Sequence, residues 1–309
     1  MTSVVRTEQL TKDFLTGFWR PRPRRALDAV SFDIPCGEVF GLLGPNGAGK
    51  TTTLKLLMDL LRPTSGRAEI FGRPATDPDV RQRVGFVPEQ PYYYDHLTAD
   101  ELVQYFAGLS GVAASDRASR AAAALTRTGV RDDDRRRPLR QFSKGMLQRV
   151  GLAQALVHDP ELIVLDEPMS GLDPVGRRDV REIILTLRDE GRTVLFSSHI
   201  LSDAEQLCSR VAILSRGRVA AQGTLTELTA AAQRGSEVIV SNLSAESAAR
   251  VVPHVARVTL IADGRYCVEL AAGQRAETVI ADLAAAGATL VSVSPVRASL
   301  EDVFLEAIQ

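Results

Sequence analysis

Short runs of consecutive apolar residues are the clearest pattern along this chain. Residues 162–165 and 193–196 form two such runs, without the alternation of apolar and polar positions that marks a half-exposed strand. Strands of this kind are typical of a parallel sheet that helices cover on both faces. The pattern therefore predicts a doubly wound α/β fold, in which ligands bind at the carboxyl ends of the strands.

Other segments of strand or helix character surround these two runs. Strands are also predicted over residues 30–34, 38–43, 68–71 and 84–87. Apolar spacing and composition predict helices over residues 50–60, 98–128, 143–158 and 175–190. Together these elements predict a first domain over residues 1–225, with a helical subdomain at about residues 91–160.

A basic segment interrupts the strand pattern near the N-terminus. Residues 17–25 carry two prolines and four arginines and show no periodicity, so we predict a loop there. Such a loop could contact anionic lipid head groups or a partner, or it could simply be solvated.

The character of the chain changes after Gly223. Strand-like runs occur near residues 238–240, 258–261, 266–270 and 290–293, with helical stretches near residues 244–251, 274–286 and 300–308. The order βαββαβ predicts a small ferredoxin-like α+β domain over residues 226–309. We find no cluster of catalytic side chains in it, so we interpret it as a docking or dimerisation module.

Composition narrows the function classes. The chain has 309 residues with 37 basic and 38 acidic side chains, so net charge gives no reason to expect nucleic acid as a partner. It contains neither an apolar run of membrane-spanning length nor an N-terminal apolar signal, and we expect it to stay in the cytosol. Cys36, Cys208 and Cys267 are far apart, which argues against a disulfide or a metal site.

A glycine-rich segment follows the strand at residues 38–43 and precedes a helix. It has the Gly-x4-Gly-Lys-Ser/Thr pattern of a phosphate-binding loop in the structural context that this motif requires. Lys50 is expected to reach the β and γ phosphates of a nucleoside triphosphate, and the hydroxyl of Thr51 to bind Mg²⁺. The loop alone leaves kinases, GTPases and motor ATPases open. The predicted nucleotide-binding residues of this segment are Gly44, Pro45, Asn46, Gly47, Ala48, Gly49, Lys50, Thr51 and Thr52.

Two carboxylates end the apolar strand at residues 162–165. Asp166 is predicted to hold Mg²⁺, and Glu167 to polarise the water that attacks the γ phosphate. A pair of carboxylates at the end of a buried strand is costly without a cation, which favours function over a structural role.

A further motif points to one family. In Phe142–Arg149 the chain resembles the ATP-binding subunits of ABC transporters, whose signature is Leu-Ser-Gly-Gly-Gln followed by x-Gln-Arg. Ser143, Gly145, Gln148 and Arg149 match that signature. Lys144 and Met146 depart from its commonest form and are similar to a variant found in an exporter branch of the family.

This resemblance, which covers the first two-thirds of the chain, implies a fold and several site residues. The expected fold is a P-loop ABC ATPase domain with a helical subdomain, followed by the small α+β domain. Gln90 resembles the glutamine that touches Mg²⁺ and the water, and Asp173 belongs to a segment similar to the D-loop. His199 resembles the switch histidine at the γ phosphate. Phe14 lies where the family stacks an aromatic ring on adenine, although Phe18 or Trp19 could serve instead.

The resemblance also implies how the protein works. ABC ATPases act as pairs, so Ser143 and Gly145 of one subunit would face the phosphate loop, Glu167 and His199 of another. We therefore expect a homodimer, or a pair with a similar chain, with ATP at the interface.

The expected partner is a separate transmembrane permease. This chain would bind it at the cytoplasmic face of the cell membrane, with export as the function. The segment from Pro91 to Gly111 would receive that permease, and Tyr92, Tyr93 and Tyr94 are candidate anchors. The terminal stretch Ser299–Phe304 resembles the tail of drug, antibiotic and lipid exporters. The alternative is a soluble ABC ATPase that acts on nucleic acid or ribosomes. The sequence does not identify a cargo.

Overall fold

A computed structural model describes residues 3–17, 19, 22–231, 236–244, 246–248, 255–270, 274–295 and 299–308. The chain divides into two compact units, Met1–Leu225 and Thr226–Ala307.

The first unit alternates strands and helices through most of its length. Its strands are β1 Ser3–Thr16, β2 Arg22–Pro35, β3 Val39–Leu43, β4 Ser65–Ile70, β5 Arg73–Pro74, β6 Val84–Val87, β7 Leu162–Leu165, β8 Thr193–Ser198, β9 Arg210–Ser215 and β10 Arg218–Thr224. Its helices are α1 Lys50–Leu57, α2 Pro78–Arg81, α3 Ala99–Leu109, α4 Arg117–Arg127, α5 Asp132–Arg135, α6 Lys144–Leu156, α7 Pro174–Asp189 and α8 Leu201–Leu207. Helix α9, Leu225–Ala231, begins at the last residue of this unit and otherwise belongs to the second unit.

The central sheet has six strands in the order β10-β9-β3-β8-β7-β6. Its neighbouring strands from β9 to β6 run parallel, and β10 pairs antiparallel at the edge. Every residue of β7 is fully buried, as expected for a strand covered on both faces. The register places Leu43 beside Ser198, and Leu165 beside both Phe196 and Val87. The segments that follow these strands therefore leave the sheet at one edge.

A second sheet, in the order β2-β1-β4-β5, is antiparallel and packs its apolar side chains against α1. Here the predicted loop over residues 17–25 was wrong at its C-terminal end. Strand β2 begins at Arg22, and Arg22–Arg25 pair with Asp13–Thr16 of β1. The sequence shows no sign of this part of the strand, because its residues do not alternate between apolar and polar. Backbone pairing with β1 holds it in the sheet. Strand β2 lies at the edge of the sheet, where proline is tolerated.

The helical subdomain is built from α3, α4 and α6 around its own apolar cluster, and the short helix α5 lies outside that cluster. The predicted helix over residues 98–128 is in fact two helices, separated by a turn in which Gly111 has a φ of 82°. Thr98 and Glu101 form a capping box that fixes the start of α3. Alanines of α4 are small enough to let α3 and α6 pack closely against it.

In its described residues after α9, the second unit has four strands and two helices of nine or ten residues. These are β11 Ser236–Ser241, β12 Arg257–Ala262, β13 Arg265–Glu269, β14 Thr289–Pro295, α10 Ala276–Ala285 and α11 Leu300–Ile308, and residues 246–248 are also helical. The sheet order is β12-β13-β11-β14, with all pairs antiparallel. Strand β13 separates β11 from β12, which is the arrangement of a split βαβ unit. The α+β prediction is confirmed.

Candidate nucleotide-binding site

The glycine-rich loop connects β3 to α1 at the carboxyl edge of the central sheet. Gly49 immediately precedes α1 and has a φ of 111°, and a β-carbon there would lie 2.4 Å from Cδ2 of Leu27. A β-carbon on Gly44 would lie 2.4 Å from the carbonyl oxygen of Leu214. Only glycine fits these two positions, so the tight loop ends at a helix N-terminus, where anions bind favourably.

Lys50 is the first residue of α1, and its side chain is buried. Its ammonium group donates hydrogen bonds to the carbonyl oxygens of Gly44, at 2.7 Å, and Pro45, at 3.2 Å. The same nitrogen lies 3.2 Å from Oε1 of Glu167. Lys50 therefore links the phosphate loop to the end of β7.

Asp166 is buried and accepts two side-chain hydrogen bonds. The hydroxyl of Thr51 donates at 3.2 Å and that of Ser197 at 2.7 Å, both to Oδ1. Burial raises the pKa of Asp166 above its ordinary value, and the two hydroxyls oppose that rise. The oxygens of Thr51 and Asp166 are hard donors of the type that Mg²⁺ prefers.

Ser197 was missed in the sequence analysis. Besides donating to Asp166, its hydroxyl accepts a hydrogen bond from the backbone amide of Glu167 at 2.8 Å. It thus fixes both acidic residues relative to β8. The available signal was a hydroxyl residue within a buried strand, two positions before His199.

Glu167 lies between two basic side chains. One carboxylate oxygen is close to Lys50, and the other is 2.8 Å from Nδ1 of His199. Glu167 has a φ of 49°, which is uncommon for a residue with a β-carbon. Its side chain is only 8% exposed, so the negative charge depends on these neighbours.

Lys50, Thr51, Glu167 and His199 line one cavity of about 590 Å³. The predicted residues that line it are Phe14, Asn46, Gly47, Gly49, Lys50, Thr51, Thr52, Glu167 and His199. Residues that the sequence analysis did not predict are Thr16, Arg24, Arg25, Ala26, Glu89 and Ser170. A cavity with basic and hydroxyl groups at one end and an aromatic ring in its wall is suited to a nucleotide.

Several predicted residues do not line this cavity. Gln90 is exposed, and its neighbour Glu89 lines the wall instead. Asp166 joins the site through its hydrogen bond from Thr51. The other predicted residues outside the lining are Gly44, Pro45, Ala48, Ser143, Gly145 and Asp173.

Ser143 and Asp173 both cap helices. Oγ of Ser143 accepts a hydrogen bond from the amide of Met146 at the start of α6, at 3.3 Å. Oδ1 of Asp173 accepts one from the amide of Gly176 at the start of α7, at 3.1 Å. Each side chain therefore stabilises the N-terminus of a helix, and neither residue lines the cavity of its own chain.

The three candidates for the aromatic ring differ in position. Phe14 lines the cavity, and the ammonium of Lys12 lies 5.2 Å from the centroid of its ring. Trp19 is 91% exposed and is not part of the lining. Phe18 lies outside the described residues.

Comparison with known proteins agrees with this geometry. The ABC transporter family pattern matches residues 27–170, and the pattern "ATP-binding protein DrrA1-3-like, C-terminal domain" matches residues 223–308. An uncharacterized ABC transporter ATP-binding protein of Synechocystis is 42% identical over 308 residues, covering 99% of this chain and 85% of the relative. The chain belongs to the ABC transporter family.

Other relatives of this ABC protein are named for export. A fluoroquinolones export ATP-binding protein of Mycobacterium tuberculosis is 40% identical over 75% of either chain. The daunorubicin/doxorubicin resistance ATP-binding protein DrrA of Streptomyces peucetius is 41% identical over 66% of this chain and 62% of the relative. The recognition of an ABC ATP-binding subunit of the exporter branch is confirmed.

Solved structures give the same result for the fold. A dimeric ATP-binding cassette in a post-hydrolysis state bound to ADP and Pi superposes with a TM-score of 0.65 at 27% identity, over 72% of this chain and 98% of the other. As a member of this family, this chain binds and hydrolyses ATP. In the described part of the chain, we find no helix whose length and hydropathy would allow it to cross a bilayer.

Proposed function

We propose that Mg²⁺–ATP binds in the cavity with its base at Phe14 and its triphosphate at the phosphate loop. The observation that carries this proposal is the convergence of Lys50, Thr51, Glu167 and His199 on one cavity. Lys50 would bind the terminal phosphates, since no other lysine lines the cavity in the described part of the chain. Thr51 and Asp166 would hold Mg²⁺, which neutralises phosphate charge when bound.

Glu167 would orient the attacking water and accept its proton as bond formation proceeds. His199 contacts Oε2 of Glu167, so it would fix the orientation of that carboxylate and would itself approach the γ phosphate. Phosphate binding to Lys50 would compete with the contact between Lys50 and Glu167. That competition would leave Glu167 available to the water only when ATP is in place.

The segment after β6 would supply one more ligand near Mg²⁺ and the water. Gln90 fits the family pattern, whereas Glu89 is the side chain that lines the cavity. Glu89 and Gln90 follow Val87 by two and three residues, and Val87 pairs with Leu165 at the end of β7. Separate Glu89→Ala and Gln90→Ala variants, compared for Mg²⁺-dependent ATP hydrolysis, identify which residue acts.

The complete site would contain two chains. Ser143, Gly145 and Asp173 do not line the cavity of their own chain, and the similar solved cassettes include dimers. A second copy, or a similar chain, would place its Ser143 against the nucleotide and close over it. Closure would complete the charge stabilisation around the γ phosphate and so control hydrolysis.

Complementation tests this composite site. Lys50→Ala and Ser143→Arg variants should each be inactive, because each breaks both sites of its homodimer. A mixture should regain ATP hydrolysis, because every mixed dimer carries one intact site. A mixture that forms dimers yet stays inactive would contradict the proposal. The matched control is Ser202→Arg, which alters a serine of α8 outside the cavity and should not change activity.

A membrane permease would dock on the helical subdomain, at the cytoplasmic face of the membrane. Tyr92 is 99% exposed and Tyr94 is 55% exposed, and the ring of Tyr94 packs edge-on against Tyr105. Exposed aromatic side chains of this kind are frequent anchors of protein interfaces. Tyr93, by contrast, is half-buried with a buried hydroxyl, and a β-carbon on Gly151 would lie 2.2 Å from that hydroxyl.

Tyr92→Ala and Tyr94→Ala should reduce recovery of the permease from detergent extracts while leaving the ATPase of the isolated subunit unchanged. Tyr93→Phe is the control, because it removes a buried hydroxyl and alters no exposed surface. Equal recovery with all three variants would contradict the docking site.

We assign ATP hydrolysis to residues 1–225 and a docking or dimerisation role to residues 226–309.

A further inference from the structure

Two strands bring an arginine next to the aromatic ring of the nucleotide cavity. Strands β1 and β2 are antiparallel, and their register pairs Phe14 directly with Arg24. Side chains at paired positions project from the same face of a sheet and lie within contact distance. Both side chains line the cavity.

The other basic groups around this end of the cavity already have partners. Arg25 donates to both carboxylate oxygens of Asp13, at 2.9 and 3.2 Å, and to Asp28 at 3.0 Å. The second oxygen of Asp28 accepts a hydrogen bond from Arg218 at 2.7 Å. Asp13 and Asp28 are therefore both neutralised without Arg24.

Lys12 is also engaged. Its ammonium donates to the carbonyl oxygen of Arg62 at 2.6 Å, and it lies over the ring of Phe14. Arg24 differs from these groups, because its side chain forms neither an ion pair nor a hydrogen bond with the rest of the described chain. Its guanidinium, which has five donors and a flat face, is available to a ligand in the cavity.

The position of Arg24 along β2 indicates which part of the nucleotide it meets. A β-carbon on Gly49 would lie 3.0 Å from the carbonyl oxygen of Ala26, so β2 reaches the phosphate loop at Ala26. Arg24 precedes Ala26 by two residues, or about 7 Å of extended strand. That distance moves it away from the phosphates and towards Phe14.

We propose that Arg24 is a nucleotide-binding residue that packs its guanidinium against the base and ribose, opposite the ring of Phe14. The inference rests on the proposed function, because it takes the base to lie at Phe14. Arginine stacks on aromatic faces and binds them by cation–π attraction. The nucleoside is thus held between an aromatic ring and a guanidinium, and its binding does not depend on the phosphates alone.

The test compares Arg24→Ala with Arg22→Ala by measuring affinities for ATP, ADP and inorganic tripolyphosphate. Arg22 is the matched control, since it is an exposed arginine two positions away on β2 that does not line the cavity. Arg24→Ala should lower the affinities for ATP and ADP by about tenfold and leave the affinity for tripolyphosphate unchanged. Arg22→Ala should bind all three ligands as the unaltered chain does. Arg24→Lys should recover only part of the loss, because an ammonium lacks the flat face.

Other outcomes overturn the inference. An equal loss for tripolyphosphate would place Arg24 at the phosphates, and full recovery by Arg24→Lys would show that charge alone acts. Unchanged ATP affinity in Arg24→Ala, with normal binding by the unaltered chain, defeats the Arg24 contact and leaves the proposed function intact. Failure of the unaltered chain to bind ATP defeats the proposed function itself.

Discussion

The ammonium nitrogen of Lys50 lies 3.2 Å from Oε1 of Glu167, and the two side chains are only 6% and 8% exposed. Each charge is therefore stabilised largely by the other, because a buried ion without a partner is costly. The pair joins the residue that would bind phosphate to the residue that would activate water. Substitution of either member consequently changes the electrostatic environment of the other.

Lys50→Ala should abolish measurable ATP binding. It removes the ammonium from the phosphate loop and leaves Glu167 with His199 as its remaining basic contact. Equilibrium binding of ATP to the purified variant provides the measurement. Lys55→Ala is the matched control, because Lys55 is an exposed lysine of the same helix, and it should bind ATP normally.

Glu167→Gln should retain ATP but lower turnover by about 10²- to 10⁴-fold, the usual contribution of a general base. Glutamine preserves the shape of the side chain but cannot accept a proton from water. Bound nucleotide and steady-state phosphate release, measured on the same sample, separate the two effects. Normal turnover would exclude Glu167 as the base. The control variant Glu182→Gln changes an exposed glutamate of α7 and should behave as the unaltered chain.

Gly49→Ala should destabilise the protein more than Gly47→Ala does. Both glycines have positive φ values, of 111° and 79°, so each substitution incurs about 1–2 kcal/mol of backbone strain. At Gly47 the new β-carbon would meet nothing within 4 Å, whereas at Gly49 it would collide with Leu27. Urea unfolding of the two variants measures the difference, and equal midpoints would show that the loop absorbs the collision.

Asp203→Ala should lower the free energy of unfolding by about 3 kcal/mol, the lower end for a broken buried ion pair. Asp203 is 3% exposed, accepts a hydrogen bond from Arg177 at 3.1 Å and lies 3.6 Å from Arg181. These contacts join α8, which follows His199, to α7. Asp189→Ala breaks an exposed pair with Arg188 and should change stability little. Similar losses in the two variants would mean that burial of Asp203 has no effect.

His158 should make stability fall as the solution is acidified. Burial lowers its pKa below the ordinary value near 6.5, and Nε2 lies 3.2 Å from the carbonyl oxygen of Val84. The unfolded chain therefore binds this proton more readily, so stability is lost as pH falls through the ordinary pKa. His158→Gln should reduce the drop in thermal midpoint between about pH 7.5 and 5.5, whereas exposed His96→Gln should not.

The elements that the sequence predicted well are those with a strong local pattern. Strand β7 has the predicted bounds, and α6 and α7 differ from the predicted helices by only one or two residues at either end. Burial on both faces demands continuous apolar residues, so such a strand is visible without knowledge of its neighbours. The phosphate loop is equally local, since its glycines and Lys50 form one short segment.

The features that were missed depend on contacts between distant segments. Arg22–Arg25 became part of β2 because β1 offers them backbone partners. Ser197 became a site residue because β8 lies beside β7, which brings its hydroxyl to Asp166 and Glu167. Both relationships depend on which strands lie side by side, and no single segment of the sequence specifies that.

The sequence by itself determined the family, the phosphate loop, the paired carboxylates and the elements with a strong local pattern, such as β7, α6 and α7, because each is encoded by residues close together in the chain. Only the tertiary structure decided that Glu89 rather than Gln90 lines the cavity, that Glu167 lies between Lys50 and His199, and that Arg24 faces Phe14. The reason is physical: strand register and the direction of a side chain are set by packing between segments, and a one-residue change in either brings a different side chain to the site.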